Sequence, residues 1–137
     1  EQVKSIGCGG YVLREAKGPC DAILIATGSE VGLAMEAADS LAERDVHVRV
    51  VSMPNPGLFQ RQDAAWRESV LPAAVRARVV VEAGVTACWA GIAGEAGRVI
   101  GVDTFGASAP GPELYEHYGL TVENVSRAVR DSLAALD

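Results

Sequence analysis

The sequence lacks paired cysteines and long apolar runs, and both absences narrow the classes of protein that it can encode. Its three cysteines, Cys8, Cys20 and Cys88, are far apart and form no CxxC pair, so neither a zinc site nor a disulfide framework is indicated. No apolar run approaches the roughly 20 residues of a membrane span, and the first residues lack the apolar core of a signal peptide. We therefore expect a cytoplasmic protein with free thiols and without a membrane partner.

A run of basic residues is also missing. The net charge is −6 at pH 7, and the arginines are scattered along the chain. Such a charge opposes binding to a polyanion unless a local basic patch overcomes it. We therefore expect no nucleic-acid partner.

Signatures of a self-contained active site are absent as well. The sequence has no GxGxxG, no GxxxxGK[ST] and no GxSxG, the motifs of dinucleotide sites, phosphate loops and nucleophile elbows. His47 and His117 have no carboxylate at ligand spacing, so they do not predict a metal site. We predict no catalytic, cofactor-binding or metal-binding residue in this chain.

What the chain does contain is typical of one α/β domain. Its 137 residues are 49% hydrophobic and 22% charged, with 15 glycines, which is enough apolar material for a core. Residues 1–10 have no periodicity and end in Gly9-Gly10, so we interpret them as a linker from a preceding segment. Residues 11–137 are the predicted domain.

Strand and helix patterns alternate from Tyr11 onward and predict a doubly wound α/β sheet. The predicted strands are Tyr11–Leu13 at an edge, Ala22–Ala26, Val46–Val51, Val79–Glu82 and Arg98–Val102. One helix is predicted after Thr27–Glu30 and others over Asp63–Val70, Thr86–Ala96, Glu113–Tyr118 and Thr121–Leu136. The first helix should bury Val31, Ala34, Met35, Ala38, Leu41 and Ala42, and the last should bury Val122, Val125, Val129, Leu133 and Leu136. Between Met53 and Gly57, two prolines predict a turn.

The tetrad Thr27-Gly28-Ser29-Glu30 lies where a strand gives way to a helix. Free amide groups and the helix dipole make such a turn a natural anion site, so Thr27, Gly28, Ser29 and Glu30 are candidate anion-binding residues. The same residues match the T-x-x-E capping box, in which Thr27 and Glu30 satisfy amides at the helix start. We favour capping, and keep an anion- or nucleotide-binding regulatory module as the alternative function.

Glu82 and His47 are further polar residues in apolar surroundings. Glu82 ends a strand at the edge where open α/β sheets place ligand contacts, and burial could raise its pKa for acid or base chemistry. More often such a carboxyl group bonds neighbouring loop amides. His47 and Arg49 alternate with valines, so we expect both to face away from Val48 and Val50.

Six segments resemble the C-terminal domain of transketolase, in the same order and spacing. They are IATGSEV (Ile25 to Val31), RVVSMP (Arg49 to Pro54), DAAWRESVLP (Asp63 to Pro72), VVVEAG (Val79 to Gly84), FGASAP (Phe105 to Pro110) and LTVENV (Leu120 to Val125). GGYVL (Gly9 to Leu13) resembles the entry to that domain. The resemblance implies a three-layer α/β fold whose mostly parallel five-stranded sheet has one antiparallel edge strand.

Transketolases transfer a two-carbon ketol unit between sugar phosphates, using thiamine diphosphate and a divalent metal, Mg or Ca. In that family the first and middle domains hold the cofactor, and the third domain is structural. This chain has no GDG motif and no match to the family's cofactor-activating glutamate or substrate-binding residues. The resemblance therefore implies a third domain that is inactive alone, binds no cofactor, and works with the remaining domains of its chain in a homodimer. Dihydroxyacetone synthases share the pattern and remain an alternative parent.

Overall fold

Five strands and five helices lie within the part of the chain that the computed structural model describes, residues 7–28, 30–82, 89–94, 96–101 and 121–136. The strands are β1 Tyr11–Arg14, β2 Ala22–Ala26, β3 Val48–Ser52, β4 Arg78–Glu82 and β5 Arg98–Gly101. The helices are α1 Glu30–Ala42, α2 Pro56–Gln60, α3 Ala64–Val70, α4 Ala90–Ala93 and α5 Val122–Ala134. The predicted helix over Glu113–Tyr118 and the FGASAP segment lie outside these residues.

The strands form one sheet in the order β1-β3-β2-β4-β5. β2 pairs in parallel with both β3 and β4, and β4 pairs in parallel with β5. Among the five described strands, only the edge strand β1 is antiparallel, with Tyr11 opposite Ser52 of β3. This topology confirms the mostly parallel five-stranded sheet with one antiparallel edge strand.

Each face of the sheet packs on its own layer of helices. One core joins Leu24, Val50 and Val79 to α1 and α5. The other joins Ile25, Val51 and Val80 to side chains of α2, α3 and α4. Because both faces are covered, every residue of β2 is fully buried, as its continuous apolar run predicts. The three-layer arrangement is thereby confirmed.

Helix α1 packs against the sheet and α5, and small side chains make up much of its buried face. Ala34, Ala37 and Ala38 are buried with Leu41, whereas Met35 is only half-buried. Ala37 was not among the expected inward residues, but it is fully buried in the core that α1 shares with the sheet and α5. On α5, Val125 and Val129 are buried, while Val122, Leu133 and Leu136 are partly buried against the same core. The predicted inward face of the last helix is confirmed.

Strand β3 begins two residues later than the predicted Val46, because α1 ends through a left-handed turn. Asp45 has φ 62°, and the Val46 amide bonds the Leu41 carbonyl at 2.9 Å. The His47 amide donates to the Asp21 carboxyl group at 2.8 Å. Both amides are thus used outside the sheet, and the strand starts at Val48.

Two short helices follow β3, and the first of them begins within the predicted turn. Pro56 occupies the first turn of α2, where a missing amide costs nothing, and Asn55 caps the helix by accepting from the Leu58 amide at 3.0 Å. Asp63 caps α3 in the same way, accepting from the Trp66 amide at 2.8 Å. The chain bends at Pro54, within the predicted turn, and the helix that begins at Pro56 was not predicted. The prediction of a helix ending before Pro72 is confirmed.

Candidate functional site at the carboxyl edge of the sheet

The parallel register brings the tetrad and Glu82 to one edge of the sheet. Ala26, the last residue of β2, pairs with Ser52 of β3 and with Val81 of β4. Thr27 therefore leaves the sheet between the ends of β3 and β4, beside Glu82. The juxtaposition expected from the sequence is present, at the edge where α/β sheets bind ligands.

The helix start does not leave its first amides free for an anion. The Glu30 amide donates to the Thr27 carbonyl at 3.2 Å, and the Val31 amide donates to the Gly28 carbonyl at 3.3 Å. Gly28 is exposed with φ 58°, which favours glycine, and Ser29 lies outside the described residues. These contacts satisfy the amides locally, so the geometry adds no support for an anion at Thr27–Glu30, and that site stays a prediction.

Glu30 is buried at the positive end of the α1 dipole. Only 3% of its surface is exposed, and it is the first residue of the helix. In a capping box the glutamate is the third residue of the helix. Because Glu30 is the first residue of α1, the observed helix start lies two residues later than the motif requires. The side-chain bonds of the box stay a prediction, although an acidic side chain in the first turn stabilises the helix in either case.

Glu82 is half-buried at the end of β4, next to Gly101 of β5 in the register. It interacts with another group in the structure, so Glu82 is not without a partner. Its suggested acid or base role stays a prediction. Within the described ranges, no group of three or more His, Cys, Asp or Glu side chains could hold a metal ion.

His47 lies at the opposite, amino edge of the sheet. Its Nε2 is 3.0 Å from the Asp45 carboxyl oxygen, while Nδ1 is buried and has no hydrogen-bond partner among the residues that the structure describes. The expectation that His47 belongs to a strand was wrong, for the reason given above. Since Thr27 and Glu82 lie at the other edge, His47 shares no site with them.

Two arginines on the sheet, Arg49 and Arg78, donate hydrogen bonds to backbone carbonyls. No sequence pattern indicates this role. Arg49 Nη1 donates to the carbonyls of Ser69 and Val70, and Arg78 Nη2 donates to those of Leu71 and Pro72. Burial lowers the pKa of the Arg78 guanidinium, and the charge of Glu68 acts in the opposite direction. As expected, Arg49 faces away from Val50, towards the α3 layer.

A cleft of about 290 Å³ lies between α2, α3 and α4, away from the carboxyl edge. Phe59, Leu71 and Ile92 form its apolar wall, and Arg67, Glu68 and Arg78 line it as well. Arg78 makes four hydrogen bonds to carbonyl oxygens, so little of its donor capacity is left for a ligand. The cleft is therefore better explained by packing than by binding.

Comparisons with known proteins assign this arrangement to one enzyme family. Residues 9–121 match the family model for the transketolase-like TK C-terminal domain. "Transketolase 1" from Vibrio vulnificus (strain YJ016) is 52% identical over 134 residues, which are 98% of this chain and 20% of that protein. The chain thus spans about a fifth of the curated relatives that it matches.

Solved structures give the same result at the level of the fold. Transketolase from Leishmania mexicana superimposes with a TM-score of 0.86 and 38% identity, over 97% of this chain and 19% of that one. A structure described as "Split gene transketolase, inactive beta4 tetramer" gives a TM-score of 0.68 and 27% identity, over 93% of this chain and 43% of that one. Among the described residues, no helix combines the length and apolar character that crossing a membrane requires.

Proposed function

This chain belongs to the family of transketolase-like C-terminal domains, and we propose that it is the structural third domain of a full-length transketolase. The observation that carries the proposal is the 52% identity to a named transketolase over 98% of this chain. That match covers only 20% of the relative, and the proposal assigns the chemistry to the remaining parts of the enzyme.

The parent enzyme would transfer a two-carbon ketol unit between sugar phosphates. Thiamine diphosphate and a divalent metal would be held by the remaining domains, across a homodimer in the cytoplasm. This chain would contribute packing surface to that assembly. Its local geometry supports a structural role, since the helix-start amides of Glu30 and Val31 are already bonded within the turn. A dihydroxyacetone synthase parent would use this domain in the same way.

The split-gene relative is a comparable case, since one of its parts is described as inactive by itself. Its description calls the β4 tetramer inactive, and this chain resembles 43% of that β chain. We therefore expect the isolated chain to have no ketol transfer activity. The competing idea, a regulatory module that binds an anion or nucleotide at Thr27–Glu30, has no described contact in its favour.

The test is to sequence the source gene upstream of the codon for Glu1 and assay its full-length product. We expect a GDG motif followed by a middle domain, and ketol transfer from a ketose phosphate to an aldose phosphate. A start codon immediately before Glu1, or a full-length product without ketol transfer, would contradict the proposal. An active product that accepts only formaldehyde-like acceptors would point to the synthase parent instead.

A further inference from the structure

His47 is held in place by several contacts at the amino edge of the sheet. Its amide donates to the Asp21 carboxyl group at 2.8 Å, and its carbonyl accepts from the Asp21 amide at 2.8 Å. The ring Nε2 lies 3.0 Å from a carboxyl oxygen of Asp45. A Cβ atom on Gly18 would lie 3.4 Å from the ring Cδ2, so the connection between β1 and β2 packs against that side of the ring. The Nε2 and Cδ2 side of the imidazole is therefore fixed by its neighbours.

The other ring nitrogen of His47, Nδ1, is not held in this way. An ionised carboxyl group only accepts hydrogen bonds, so in the neutral ring the contact with Asp45 places the proton on Nε2 and leaves Nδ1 as an acceptor. Nδ1 is buried, and no group in the described ranges donates to it. A buried acceptor without a donor lowers stability, and native proteins satisfy most such atoms with a protein group or an ordered water. A donor to Nδ1 is therefore required.

A small cavity lies beside the ring of His47. Its volume is about 10 Å³, and one water molecule needs about 10–15 Å³ of such space. His47 lines this cavity together with Arg14, Glu15 and Lys17 from the end of β1 and the residues after it, and with α1. A buried water makes about three hydrogen bonds to polar groups. Among the lining residues, Glu15 carries an acceptor besides Nδ1, and Arg14 and Lys17 carry donors. The size and the polar lining of the cavity both match a single water.

We propose that this cavity is a binding site for one ordered water, which donates a hydrogen bond to His47 Nδ1. The water keeps the ring in the tautomer that donates from Nε2 to Asp45. It thereby connects the residues after β1, the end of α1 and the start of β3. The site is independent of the proposed function, since residues of this chain alone line it.

High-resolution crystal structures of the full-length gene product and of two substituted forms test this site. The polar end of an asparagine side chain matches the position of Nδ1, and that of glutamine matches the position of Nε2. In the unsubstituted protein we expect a water peak at about 2.7–3.2 Å from Nδ1. His47→Asn should keep the water and lose the contact with Asp45. His47→Gln should keep that contact and lose the water.

Three results would overturn the proposal. One is a protein group or an ion at hydrogen-bond distance from Nδ1, and another is a cavity without a density peak in the unsubstituted protein. The third is a water that persists unchanged in His47→Gln, because its binding would not depend on Nδ1. If a substituted form fails to fold, the structure of the unsubstituted protein still decides between a water and any other donor.

Discussion

Arg49 and Arg78 lie in one row across the sheet, each opposite Ile23 of the central strand. Together they bond four consecutive backbone carbonyls, those of residues 69–72, over distances of 2.9–3.2 Å. These carbonyls lie at the end of α3, where a helix leaves its last acceptors unsatisfied. The two side chains therefore replace the next turn of helix and attach α3 to the sheet.

The first prediction concerns Arg78. Replacing it with methionine should lower the free energy of unfolding by about 2–4 kcal/mol, because several half-buried carbonyls lose their donor at once. Arg76→Met is the matched control, since Arg76 is exposed two residues away. Its effect should stay within about 0.5 kcal/mol. Urea unfolding followed by circular dichroism measures both values, and equal losses would contradict the role assigned to Arg78.

The stability effects of substituting Arg49 and Arg78 should also be coupled. Because both hold the same stretch of backbone, the double variant Arg49→Met/Arg78→Met should lose less stability than the sum of the single variants, by about 0.5–3 kcal/mol. A double-mutant cycle in urea gives this number directly. Strict additivity would mean that the two ends of the carbonyl row are held independently.

Gly9 and Gly28 allow a comparison of two glycines with positive φ. A Cβ atom added to Gly28 would have no atom of the described residues within 4 Å, whereas one on Gly9 would meet backbone atoms of Asn55 and Phe59. Gly28→Ala should cost about 1–2 kcal/mol, the conformational penalty alone. Gly9→Ala should cost clearly more, because the backbone must also move apart. Thermal unfolding of both variants tests the order, and an equal cost would show that Gly9 does not pack closely against Asn55 and Phe59.

The tetrad should act in helix formation and not in anion binding. Calorimetric titration of inorganic phosphate or a nucleotide into this chain should give no binding heat. Thr27→Ala with Ser29→Ala should lower stability by about 1 kcal/mol, the usual cost of a lost cap. Micromolar binding that disappears in the double variant would establish the anion-binding alternative instead.

Cys20 should behave as a slow thiol. Its sulfur is half-buried and donates to the Ala22 carbonyl at 3.2 Å, and burial raises its pKa even though Arg49 acts in the opposite direction. The folded state therefore keeps the proton to higher pH than the unfolded state does. The pH midpoint of iodoacetamide labelling at Cys20 should lie above that of glutathione, with Cys20→Ser identifying the peptide. A midpoint at or below that of glutathione would contradict the effect of burial.

The raised pKa of Cys20 also determines how its thiol contributes to the free energy of unfolding as the pH changes. It is fully present below the pKa of the unfolded thiol and is lost as the pH rises through the higher folded value. The difference in unfolding free energy between the unsubstituted chain and Cys20→Ser should therefore shrink above that range.

Much of the fold was predictable because local patterns and tertiary structure agree. The apolar run Ala22–Ala26 and the periodic helix after it determine a β-α-β unit, and both faces of the sheet are covered as that run requires. Pro56 was ambiguous, since proline favours a turn and the first position of a helix equally. The start of β3 was misjudged because two amides after Asp45 are bonded elsewhere.

The candidate site was less predictable for a physical reason. Arg49 and Arg78 bond backbone carbonyls, which every residue carries, so no sequence pattern marks their partners. Likewise, the bonds that occupy the Glu30 and Val31 amides depend on the local turn geometry rather than on residue type. The position of Thr27 beside Glu82, in contrast, follows from the parallel strand order and could be expected.

The central claim is that this chain is a transketolase domain that holds no part of the cofactor site by itself. Calorimetric titration of thiamine diphosphate with Mg²⁺ into this chain and into the full-length gene product tests it most directly. We expect binding by the full-length product and none by this chain at micromolar concentrations. Micromolar binding by this chain alone would contradict it.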